Sequence, residues 1–133
     1  MIVYLDANIV IYVVEKHPVW GPKALARIAQ LQAGADQIAV GDASRLECLV
    51  GPYMSGDKAI LADYNGFFQD PALLVFPISA AVCEHAARIR ASHNIKPLDA
   101  LHLATAIENA CGRFLTNDVP LQTFPLITVE ILS

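Results

Sequence analysis

Apolar and polar positions along the chain alternate between two rhythms. Five β-like runs have strand length: IVYL (2–5), an apolar run that needs burial on both sides, QIAV (37–40), LLVFPI (73–78), RFLT (113–116) and LITVEIL (126–132). The segments between them read as helices. DANIVIYVVEKHP turns into a short helix ended by Pro18. Residues 21–34 follow the 3.6-residue period, with Pro22 suited to a first turn and Gly34 to a stop. GDASRLECLVGP begins a helix with Asp42 or Ser44 as its cap, and 55–70 is a further amphipathic helix for which Ser55 reads as a cap. Ser79 opens a helix over 79–94, and another runs over 97–111 with Gly112 as its stop. Pro77 places the third strand near an edge. Strands separated by helices predict an α/β fold, with a mostly parallel sheet of about five strands covered on both faces.

Length and composition narrow the class. With 133 residues, 55% hydrophobic and 17% charged, the chain fits one compact domain over 1–133 with a sizeable core. No apolar run reaches the roughly 20 residues that span a bilayer, and no membrane partner is expected. The opening MIVYLDAN lacks the basic flank and cleavage site of a signal peptide. Cys48, Cys83 and Cys111 are scattered and read as reduced core residues of a cytoplasmic protein. A net charge of −4 and a pI near 5.4 argue against a coat protein that holds nucleic acid by bulk charge. They leave room for an enzyme that grips a few phosphates.

The 97–111 helix is apolar on nearly every face yet carries Asp99 in its first turn. Three more acids stand in apolar company. Asp6 directly follows the first strand, Asp118 lies two residues after the fourth, and Glu47 sits on the helix after the second. Open α/β sheets bind ligands beyond the carboxyl ends of their strands, which is where Asp6 and Asp118 fall. Each acid alone has a plainer role. The macrodipole favours Asp99 in a first turn, Asp6 and Asp118 suit turns, and Glu47 suits a solvated helix face. Together, converging carboxylates repel one another and need a cation among them. Hard oxygen ligands without histidine or cysteine suit Mg²⁺ or Mn²⁺, and Mg²⁺ brings phosphate chemistry.

These residues carry a family resemblance. VYLDANIVIY resembles the opening of a PIN-domain nuclease, and SRLECLVG its second acidic motif. PLDALHLATA is similar to the third motif and FLTND to the fourth. The order and spacing of the four agree over nearly the whole chain. The size looks most like the VapC-type toxins of toxin–antitoxin pairs. The resemblance implies a three-layer α/β/α sandwich and a Mg²⁺- or Mn²⁺-dependent endoribonuclease. It implies Asp6, Glu47, Asp99 and Asp118 as catalytic, metal-holding acids, with Asn8 and Thr116 as polar supports. Asp42 departs from the small polar residue expected there; it either caps its helix or adds a fifth carboxylate, so one or two metals fit. The implied reaction is in-line attack on the RNA phosphate by a metal-acidified water. The implied partners are RNA, a second copy of the chain and a cognate antitoxin; mean hydropathy of +0.44 is compatible with covered apolar surface. A stand-alone RNA-processing nuclease and a non-catalytic RNA- or protein-binding module are the alternatives.

Other features carry less. His85 and His93 are separated by roughly 12 Å of helix, too far to share a metal, and His102 reads as a packed or interface histidine rather than a base. Arg45 and Lys96 are candidate RNA contacts, Lys96 the better placed, while Arg88 and Arg90 suit a solvated face. Trp20, Tyr53, Phe67 and Phe68 line a groove or pack between helices. SGDK (55–58) lacks the partner motifs of serine acylases. A receiver domain would need an Asp after the third strand and a Lys after the fifth, and the chain has neither. DANIV lacks the second acid of an aspartyl phosphatase.

Overall fold

The five β-like runs become the strands β1 (Ile2–Leu5), β2 (Gln37–Gly41), β3 (Leu73–Phe76), β4 (Arg113–Thr116) and β5 (Val129–Ile131) in a computed structural model that describes residues 1–133. They form one sheet in the order β3-β2-β1-β4-β5, and every neighbouring pair is parallel. The helices are α1 (Ala7–Val14), α2 (Trp20–Ala33), α3 (Ala43–Ser55), α4 (Lys58–Phe68), α5 (Ala80–Ser92) and α6 (Pro97–Glu108). A 3₁₀ turn spans Val119–Thr123. No helix is long and apolar enough to cross a membrane.

Alternation along the strands divides the core into two layers. Val3, Leu5, Ile38, Val40 and Leu115 face Ile9, Val10, Ala24, Leu31, Cys48, Tyr64 and Phe68 from the first four helices. Tyr4 and Phe114 face the other way, against Val82, Ala86 and Ile89 of α5 and Ala100, Leu103, Ala104 and Ala106 of α6. The result is the expected three-layer α/β/α sandwich. The alanines of α6 let it lie close to the sheet, so even the polar side chains His102 and Thr105 are fully buried there.

Boundaries differ from the sequence expectations where local chemistry wins. β3 is an edge strand and stops at Phe76, one residue before Pro77. β5 is shorter than 126–132, because its partner β4 offers only four residues and the pairing runs from Val129 to Ile131. α3 passes through Pro52, which gives up one ladder hydrogen bond, and ends at Gly56 with φ +70°. α4 is capped by Asp57, which accepts from the Ile60 N–H, and Ser55 belongs to α3. Neither Asp42 nor Ser44 caps α3 by a side-chain bond. α6 ends at Glu108, before Gly112; the left-handed residue there is Ala110, with φ +56°. Gly112 serves close approach instead, since a Cβ on it would lie 2.9 Å from the Met1 sulfur. Cys48 and Cys111 are buried thiols, but Cys83 is exposed on α5 and belongs to no core.

Candidate active site

Strand order reverses at β1, which pairs with β2 on one side and β4 on the other. Such a reversal opens a crevice at the carboxyl ends of the two strands. Asp6 emerges there from β1 as the N-cap of α1, and it is only 4% exposed. Its Oδ1 accepts the Ala7 N–H at 2.8 Å, and its Oδ2 accepts the Thr116 hydroxyl at 2.7 Å. Thr116, the last residue of β4, in turn accepts the Asp118 N–H at 3.0 Å and the Asn8 side-chain amide at 3.3 Å. One hydroxyl therefore ties together the loops that follow β1 and β4. The remaining amide oxygen of Asn8 is buried with no hydrogen-bond partner.

Above this floor, Glu47, Asp99 and Asp118 line an open cleft of about 800 Å³ with Ile11, Val50, Lys96, Pro97 and Leu98. Asp99, Asp118 and Lys96 also line a second cavity of about 540 Å³, which extends to His93, Asn94, Thr123 and Phe124. Asp99 stands in the first turn of α6, where no side-chain bond caps the helix, and its carboxylate borders both cavities. Burial, then the negative charges of Asp6, Asp118 and Glu47, push its pKa up to about 6. Burial also pushes the Asp6 carboxyl above its usual range, although His102, the Thr116 hydroxyl and the Ala7 N–H all favour its charged form. The structure thus gathers Asp6, Glu47, Asp99 and Asp118 at one end of the sheet, with negative charge in excess.

Two candidates lie elsewhere. Asp42 accepts from Arg45 Nε at 3.0 Å and lines neither cavity. Arg45 is engaged by Asp42, with its guanidinium 4.7 Å from the centre of the Phe68 ring. Lys96 is the candidate cation that borders the acids.

A histidine that the sequence assigned to packing or an interface reaches the site. His102 is fully buried, with Nε2 3.0 Å from Glu47 Oε1 and 4.0 Å from Asp6 Oδ1. Its Nδ1 lies 2.6 Å from the Tyr4 hydroxyl. Burial alone would lower the pKa of the ring, but the Glu47 hydrogen bond and the charges of Asp6 and Glu47 prevail, and it is raised. The signal for His102 was its spacing: three residues after Asp99, it shares that helix face. Nothing in the apolar run IVYL singles out Tyr4.

The donor set suits a hard divalent cation. No three acidic, histidine or cysteine side chains form a ready-made metal cage. Mg²⁺ needs none, because it keeps several waters and takes only one or two carboxylates. Crowded carboxylates, one of them with a pKa near 6, and the unpartnered amide oxygen of Asn8 are the features such an ion would relieve.

Comparison with known proteins follows the same lines. The model of the PIN domain family matches residues 3–123. No curated protein matches the chain by sequence. Among solved structures, VapBC2 from Rickettsia felis, bound to a DNA fragment from their promoter, is similar with a TM-score of 0.83, 22% identity and full coverage of both chains. DNA-bound VapBC from Salmonella typhimurium gives a TM-score of 0.79 at 20% identity over 98% of both chains. VapC20 from Mycobacterium tuberculosis, a Sarcin-Ricin loop cleaving toxin, gives 0.70 at 14% identity over 95% of this chain and 98% of that one.

Proposed function

The chain belongs to the PIN domain family, and from that premise we propose that it is a divalent-metal-dependent endoribonuclease and the toxin of a toxin–antitoxin pair. The observation that carries this is the cleft that brings Glu47, Asp99 and Asp118 together above Asp6, with the Asp99 carboxyl pushed up to about 6 by burial and by its acidic neighbours. Carboxylates packed against their own repulsion fit a cation-binding site and serve no evident structural need.

Asp6, Glu47, Asp99 and Asp118 would hold Mg²⁺ or Mn²⁺. When bound, the ion supplies positive charge to the phosphate and makes water more acidic. The chain's own residues fix the rest. Thr116 and the Ala7 N–H hold both oxygens of Asp6 in place, so the carboxylate needs no reorganisation. Lys96, where the two cavities meet, faces the backbone phosphates of the substrate. The second cavity, with the Phe124 ring and the polar side chains of His93, Asn94 and Thr123, suits a neighbouring unpaired nucleotide.

Partners follow from the relatives and from one exposed surface. The similar structures from R. felis and S. typhimurium are VapBC assemblies. On this chain, Leu46, Val50, Tyr53 and Met54 leave one face of α3 apolar and exposed beside the cleft. A cognate antitoxin and a second copy of the chain are the proposed occupants of such surface. Three unpaired thiols suit the cytoplasm as the working compartment.

Purified, antitoxin-free protein incubated with total RNA tests the assignment. Cuts at discrete sites are expected with Mn²⁺ or Mg²⁺, with none in EDTA and none from the Asp6→Ala and Asp99→Asn variants. A folded protein that neither cuts RNA nor binds metal is a binding module instead.

A further inference from the structure

We propose that Tyr4 and His102 are a buried positioning pair that aims an N–H at Glu47 and fixes its carboxylate at the edge of the metal site. The proposal rests on Glu47 as one of the metal-holding acids.

Glu47 has the longest side chain of the four acids. It sits in the second turn of α3, its side chain is 26% exposed, and its one hydrogen bond is to His102 Nε2 at 3.0 Å. A glutamate left to itself samples many rotamers, and ordering it at the moment of metal binding costs affinity. His102 removes that freedom from below. The ring is rigid, fully buried and carried by the same helix that carries Asp99.

Tyr4 makes the arrangement independent of the ring's charge. A neutral imidazole has one N–H, which sits on whichever nitrogen its partners favour. A phenol keeps its proton at neutral pH, so the Tyr4 hydroxyl can donate. Donation to Nδ1, 2.6 Å away, leaves the ring proton on Nε2, facing Glu47. In the charged ring both nitrogens carry protons, and Nε2 still faces Glu47. The donor is present in either state.

The surroundings are shaped around that hydroxyl. The Tyr4 ring stacks on Phe114 with centroids 5.3 Å apart, a contact a phenylalanine would make equally well. The hydroxyl instead occupies space that only a glycine leaves free. A Cβ on Gly41 would lie 2.5 Å from it and 3.2 Å from the Thr105 methyl. The fold thus makes room for a group whose one side-chain partner is His102.

Mn²⁺ titration calorimetry on wild type, Tyr4→Phe, His102→Gln and His102→Leu, with melting in EDTA and kcat and KM on cleaved RNA, tests the pair. Outer partners of metal ligands are worth about 10–100-fold in affinity, so His102→Leu should weaken Mn²⁺ binding on that scale. His102→Gln keeps an N–H near the place of Nε2 and should recover most of the loss. Tyr4→Phe, acting one step further out, should weaken binding by about threefold and lower kcat with little change in KM. Mn²⁺ affinity unchanged in folded Tyr4→Phe and His102→Leu, or equal losses in the Gln and Leu variants, would overturn the pairing while metal-dependent cleavage by wild type stands. If His102→Leu does not fold, Tyr4→Phe decides alone. Wild type that binds no Mn²⁺ and cuts no RNA would overturn the nuclease assignment and the pairing with it.

Discussion

Glu130 and Asp99 lie in two regions that treat acidic charge in opposite ways. Glu130 on β5 is answered twice: Arg27 Nε reaches it at 2.7 Å and Arg113 at 2.9 Å, and its carboxyl is held below the usual range, first by the hydrogen bond from Arg27. Asp99 faces Asp6, Asp118 and Glu47 with His102 as the nearest relief, and its pKa rises to about 6. One acid is matched to its cations and contributes to stability; the others stand in deficit. That deficit is what the proposed cation would fill.

The largest effect that can break this contrast is on cleavage. Asp6→Asn keeps the shape of the side chain and removes its charge, and should cut kcat/KM by about a thousandfold, the scale of losing a central electrostatic group. Retained cleavage would leave Asp6 as no more than a cap for α1. Glu130→Gln should do the reverse: a loss of about 1–2 kcal/mol in urea unfolding, with cleavage unchanged. Because the folded pKa of Glu130 is depressed, its contribution is present above the unfolded glutamate pKa and fades as pH falls through the folded value. Asp99→Asn should stabilise the protein in EDTA at pH 7 by roughly 1 kcal/mol, after allowing for solvent screening. Its folded pKa is raised from 3.8 to about 6, so the charged form is what costs stability. The cost is full above about 6, and variant and wild type should converge below 3.8. Added Mn²⁺ should reverse their order in thermal melts. The smallest effect belongs to Lys96→Ala, expected to raise KM for RNA by about threefold with Mn²⁺ affinity unaltered.

The alternating rhythm of the chain was enough to place all five strands and six helices, because the central strands are buried on both faces and read as short apolar runs between helical periods. The carboxylates were legible for the related reason that acids in apolar company need a cause: Asp6, Glu47, Asp99 and Asp118 do share one end of the sheet. Contacts between residues far apart in the chain were not legible. Arg45 looked free until the Phe68 ring, 23 residues on, was seen beneath its guanidinium. His102 looked like a packed or interface residue until Glu47 was seen above it and Tyr4 below, 55 and 98 residues away. Helix ends were misjudged where the side chain that counts was a neighbour of the expected one, as with Asp57 in place of Ser55.

The bond between Thr116 and Asp6 joins residues 110 apart. β1 leaves a ribosome before β4, and at the centre of the sheet it must wait for that strand. While the exit tunnel still covers β4, Asp6 has neither its threonine nor Asp118 beside it. Synthesis therefore delivers this pocket in pieces, and it closes only once β4 has emerged to meet β1.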